Sequence, residues 1–153
     1  MDRRRFITTA SALAVGALAG CLEDGGADTP TPTDSPIMTD TEFTIRQTES
    51  GTEIDEATVT FDGTTVTVEG TIWGADGCTT AELVAAEYDA EADELTVAVA
   101  TTKPESTADL ACTQATVEID YRAMVSFENR LPGRVVVTHN HGDGAQQVTT
   151  ASP

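Results

Sequence analysis

The sequence predicts an all-β fold, an antiparallel two-layer β-sandwich of Ig-like architecture. Three observations predict it. Apolar residues recur with a period of two from about position 42 to position 139, the spacing of strands that bury one face. Turn-forming pairs such as Asp62-Gly63 and Pro132-Gly133 separate the alternating runs. No segment carries a helix signal strong enough to displace a strand reading. About seven or eight short strands between turns favour two packed sheets.

The strands follow in order. Phe43 and Ile45 alternate with Thr44 and Arg46, and Val59 and Phe61 alternate with Thr58 and Thr60. Asp62-Gly63 is a strong hairpin signal, and Val66 and Val68 resume the alternation beyond it. That strand extends to Ile72-Trp73, with Gly70 marking a bulge or a close backbone approach. Residues 79–88 admit two readings. Thr79-x-x-Glu82 matches a capping box that would open a short helix. Val84, Ala86 and Tyr88 equally line one strand face. The strand is preferred, because the acidic turn Asp89–Glu94 then joins it to the evident strand of Leu95, Val97 and Val99.

Residues 100–111 read as a loop. The longest alternation follows, with Val117, Ile119, Tyr121, Ala123, Val125 and Phe127 on one face and mostly charged residues on the other. Such a strand has one wet side. Leu131-Pro132-Gly133-Arg134 reads as a turn, and Val135–His139 as the returning strand.

The beginning of the 153-residue chain reads differently. Arg3-Arg4-Arg5-Phe6-Ile7 precedes a mildly apolar run over residues 7–19. As a helix that run would rise about 20 Å, short of the ~30 Å hydrocarbon core, so a signal peptide over residues 1–20 fits better than a membrane span. Arg3 and Arg4 followed by Phe6 resemble a twin-arginine export signal, with Asp2 where that pattern usually has Ser or Thr. Leu18-Ala19-Gly20-Cys21 resembles a complete lipobox. This resemblance implies cleavage before Cys21, lipid on its sulfur, and a place on the extracellular face of the cell membrane. Stable anchoring takes two lipid chains.

After Cys21 a stretch rich in Gly, Pro, Thr and Asp runs to residue 41 without apolar periodicity, the composition of a linker. At ~3.1 Å per residue its reach is about 60 Å. The sandwich is assigned to residues 42–150 and a short tail to 151–153.

Charge narrows the partners. The chain carries 26 acidic and 8 basic residues, a net −18. Losing Arg3, Arg4, Arg5 and Asp2 with the signal would take it to −20. Such a surface repels nucleic acid. In molar salt the Debye length falls to about 3 Å, so carboxylate repulsion costs little. With the amino-terminal motifs, this acidity resembles exported lipoproteins of halophilic archaea. The stretch from Cys112 to His139 is loosely similar to small secreted β-domains of related exported proteins. The partners this implies are the membrane, through lipid on Cys21, and a cell-envelope or secreted protein.

Cys78 and Cys112 remain in the domain. An even pair in an exported chain reads as a disulfide. Trp73 lies close enough before Cys78 to pack beside it, but it precedes both cysteines, whereas in Ig domains the tryptophan falls between them.

Chemistry concentrates in His139-Asn140-His141-Gly142-Asp143-Gly144, which holds both histidines. Two residues apart on a strand, their rings face one side and suit Cu(II) or Zn(II), with Asp143 or water completing the set. The plainer reading is two exposed imidazoles where a strand enters a Gly-rich turn. Asp89–Glu94 has Glu94 where a calcium loop needs glycine, so it reads as a solvated turn. No Walker loop, Gly-x-Ser-x-Gly, metalloprotease helix or Cys-x-x-Cys is present. Spacing gives no support to a triad of Ser126, His139 and an aspartate. The expectation is a non-catalytic, lipid-anchored surface module with a binding or structural role, without a cofactor unless Cu or Zn binds. The alternatives are a metal-binding surface protein built on the His-x-His, and an inhibitor of secreted proteases.

Overall fold

The structure, a computed structural model, describes residues 35–153. Arg3, Arg4, Phe6, Cys21 and most of the tether lie outside the described residues. Among the described residues, eight strands form two packed sheets of four. They are β1 (Ile37–Ser50), β2 (Glu56–Asp62), β3 (Thr65–Gly74), β4 (Thr80–Asp89), β5 (Glu94–Thr102), β6 (Val117–Glu128), β7 (Arg134–Asn140) and β8 (Ala145–Ala151). The first sheet has the order β1-β6-β3-β2 and the second β4-β5-β7-β8.

The Asp62-Gly63 hairpin forms between β2 and β3, with Gly63 at φ 59°. Nearly all of the 79–88 stretch lies in strand β4 (Thr80–Asp89), which pairs with β5, so the helix reading falls away. The expected loop over 100–111 is shorter, because β5 continues to Thr102 and Glu105–Thr107 make one 3-10 turn.

Strand directions depart from the expected purely antiparallel arrangement. β7 does not return beside β6 but runs parallel to β5, from Glu94↔Arg134 to Ala100↔Asn140. The reason is that β6 already has β1 on one edge and β3 on the other. With no free edge left, the chain turns at Pro132-Gly133 and crosses to the second sheet.

β1 also starts earlier than expected, at Ile37, within the stretch read as tether. Its first residues are exposed and pair with the end of β6, Ile37 opposite Glu128. Backbone hydrogen bonds rather than apolar alternation define this part of the strand.

The core lies between the sheets. Val66, Val68, Ile72, Ile119, Tyr121 and Val125 from the first sheet meet Leu95, Val97, Val99, Val135 and Val137 from the second, all 1% exposed or less. Each such aliphatic side chain contributes about 1.5–3 kcal/mol by leaving water. Cys78 and Cys112 form a disulfide with 5.3 Å between their Cα atoms. Closing that 34-residue separation stabilises by about 3.5–4 kcal/mol on the chain-entropy model.

Gly70 marks a close approach rather than a bulge. It pairs with Tyr121 in unbroken register. A Cβ there would lie 2.6 Å from Tyr121 Oη and 2.7 Å from the Glu56 carbonyl oxygen. The missing side chain makes room for the phenol.

Candidate functional site

His139 ends the inward alternation of β7 after Val135 and Val137, and it is 1% exposed. The expectation of an exposed imidazole fails for this residue, because the strand's period turns it into the core. A buried ring needs partners for both nitrogens. Tyr121, on the inward face of β6, places Oη 2.8 Å from His139 Nε2. Asp55, in the loop between β1 and β2, places Oδ1 2.8 Å from His139 Nδ1. An ionised carboxylate only accepts, so Nδ1 carries the proton, and neutral His139 accepts the Tyr121 hydroxyl at Nε2. Burial pushes the His139 pKa below the ordinary histidine value, and the Asp55 carboxylate partly opposes that shift. Burial likewise pushes the Tyr121 phenol upward, reinforced by the Asp55 charge.

His141, two residues on, brings its ring to the same carboxylate. Its Nε2 lies 2.9 Å from Asp55 Oδ1 and 2.8 Å from Oδ2. Trp73 Nε1 donates to Asp55 Oδ2 at 3.1 Å. The indole also stacks on the His141 ring, with centroids 4.4 Å apart and planes 20° from parallel. Asp55 thus gathers three N–H donors, from β3, from the end of β7 and from the turn that follows β7. His141 Nδ1 is buried without a hydrogen-bond partner.

Both histidines hydrogen-bond a carboxylate, and it is that of Asp55 rather than Asp143. Asp143 is exposed in the following turn. Trp73, placed beside the disulfide by spacing alone, has its ring against His141. Ser126 lies on the outer face of β6, opposite to Tyr121 and away from His139.

Tyr121 carried a sequence signal. It is the hydroxyl-bearing member of an otherwise apolar face, and a buried phenol calls for a partner. Asp55 carried none, because it sits in a short loop without periodicity.

The set can do two things chemically. Without metal, it ties the loop before β2 to β7 through charge-assisted hydrogen bonds. With metal, His139 Nδ1, His141 Nε2 and Asp55 are nitrogen and oxygen donors of the kind that hold Zn(II) or Cu(II). The Tyr121 oxygen would then accept from Nε2–H, the outer partner that orients a metal-bound imidazole. The His141 side chain is 17% exposed and that of Asp55 34%. A cavity of about 220 Å³ lined by His141, Trp73 and Lys103 leads solvent to the ring.

A second donor cluster stands among the described residues. One ligand atom each from Asp76, Cys78 and Cys112 lie within 4.8 Å of one another. The two sulfurs are bonded to each other, so they are not free to ligate in this state. Lys103 Nζ pairs with Asp76 Oδ2, and the hydrogen bond from Lys103 holds the carboxyl below the usual aspartate value.

No family model, curated protein or solved structure matches this chain. The functional reading therefore rests on the residues.

Proposed function

We propose that this chain is a lipid-anchored, non-catalytic module of the outer cell face that holds a transition-metal ion, Cu(II) or Zn(II), at Asp55, His139 and His141. One observation carries the metal reading. The His139 imidazole at the end of β7, the His141 imidazole in the turn just after it and the Asp55 carboxylate from the β1–β2 loop converge, with nitrogen-to-oxygen distances of 2.8 Å. A bound ion would be held by His139 Nδ1, His141 Nε2 and Asp55, with the His139 proton moved to Nε2, where the Tyr121 oxygen accepts it, and the His141 proton moved to the otherwise unpartnered Nδ1. The non-catalytic reading is supported by burial, since Tyr121 and His139 are each 1% exposed and cannot reach a substrate. The Ig-like sandwich and the anchor at Cys21 belong to the same proposal, the anchor resting on the amino-terminal motifs.

Calorimetric titration of the full chain with Zn(II), and separately with Cu(II), tests it. One saturable site per chain is expected, weakened at least about tenfold in His141→Ala. Absence of a saturable site, or unchanged affinity in His141→Ala, rejects the reading. Mass spectrometry of Cys21 tests the anchor, and an unmodified amino-terminal leader would refute it.

A further inference from the structure

The disulfide offers chemistry that the histidine site does not use. Cys78 lies in the connection from β3 to β4, and Cys112 in the loop that leads into β6. We propose that the Cys78–Cys112 bond gates a second metal site, and that its reduction frees both sulfurs to bind one thiophilic ion together with Asp76.

The scaffold around the sulfurs favours this, because it does not depend on their bond. Gly77 N–H donates to the Thr113 carbonyl at 3.0 Å, directly tying the two cysteine-bearing segments. Just beyond, Gly74 pairs with Val117 at the end of the β3–β6 ladder. Thr79 N–H closes the turn onto the Asp76 carbonyl at 3.1 Å. Breaking the S–S bond leaves these contacts in place, so the freed thiols stay adjacent.

The third donor is already fixed. Asp76 Oδ1 accepts from Cys78 N–H at 3.0 Å and from Thr79 Oγ1 at 3.1 Å. Its other oxygen faces the Lys103 ammonium. An incoming cation takes over from Lys103 as the partner of Asp76.

The chemistry balances with an external dithiol as reductant. The dithiol supplies two electrons and two protons and becomes a disulfide, while Cys78 and Cys112 become thiols. A divalent ion then releases both thiol protons to solvent. It forms two metal–sulfur bonds and one metal–oxygen bond, with water in the fourth position. Two thiolates select soft or borderline divalent ions such as Zn(II) or Cd(II). The ligands are different residues from Asp55, His139 and His141, although Lys103 both pairs with Asp76 and lines the cavity beside His141, so either reading can fail without the other.

The test uses the full chain, oxidised or reduced with a dithiol that is then removed anaerobically. Cd(II) is the probe, read by its thiolate-to-metal charge-transfer absorption. The reduced chain should bind one Cd(II) with two thiolates, displaceable by Zn(II), while the oxidised chain shows no such band. Asp76→Asn should weaken binding at least about tenfold, and His141→Ala should leave it unchanged. Far-UV dichroism of the sheets monitors folding throughout. No charge-transfer band in a reduced chain that keeps this signal overturns the proposal. So does full affinity in Asp76→Asn, or loss of the sheet signal on reduction that metal does not restore.

Discussion

Tyr121 Oη lies 2.8 Å from His139 Nε2 and hydrogen-bonds one sheet to the other inside the core. The phenol comes from β6 and the imidazole from β7, and each residue is 1% exposed. Removing the hydroxyl leaves His139 Nε2 buried without a partner. Tyr121→Phe should therefore destabilise the domain by about 1–3 kcal/mol. Urea unfolding followed by Trp73 fluorescence measures it, with an unchanged slope and a lower midpoint expected.

Gly70 is the counterpart of that phenol on β3. A methyl group there meets Tyr121 Oη at 2.6 Å and the Glu56 carbonyl at 2.7 Å. The first contact is a ring fixed by His139, and the second is backbone of β2. Neither yields cheaply, so Gly70→Ala should cost about 1–3 kcal/mol through overpacking. The same unfolding experiment checks it, and a neutral or stabilising result would contradict the packing described.

Both tyrosines of the chain are held neutral by their surroundings. Burial raises Tyr88 from 10.0 to about 12, helped by the nearby Asp93 carboxylate that accepts its hydroxyl. Burial raises Tyr121 as well. The folded state thus binds a proton more tightly than the unfolded state. The associated stability is fully present below pH 10.0 and is lost as pH rises towards about 12. Spectrophotometric titration should show little tyrosinate at pH 10 while near-UV dichroism persists. Half-ionisation at pH 10 in the folded chain would contradict this.

Much of the sandwich was legible because a half-buried strand writes its burial into alternate residues. The face Val117 to Phe127 and the Asp62-Gly63 hairpin follow from that period, whereas in β4 a register shift between Leu83 and Ala85 leaves Val84 61% exposed and puts Leu83 with Ala86 and Tyr88 against the core in place of the expected Val84. The disulfide followed from two cysteines in a chain read as exported. The parallel pairing of β5 with β7 was not legible, because it depends on which strand edges remain free. β8 was hidden as well. Its sequence, Ala145 to Ala151, carries little apolar alternation, and an edge strand held by backbone hydrogen bonds needs none. At the site, the period carried both His139 and Tyr121 inward, so their meeting had a signal. Asp55 approaches from a loop, and only tertiary structure brings it to the histidines.

The metal site itself has a built-in reporter. Trp73 is the sole tryptophan, and its ring stacks 4.4 Å from His141. A paramagnetic ion on His141 therefore quenches all indole fluorescence of the chain. The most direct measurement is a Cu(II) titration of Trp73 emission in the oxidised full chain and in Asp55→Asn. The account predicts saturable quenching at one equivalent, shifted at least about tenfold to higher Cu(II) in the variant. Emission that does not respond, or that responds identically in Asp55→Asn, would contradict a metal held by Asp55, His139 and His141.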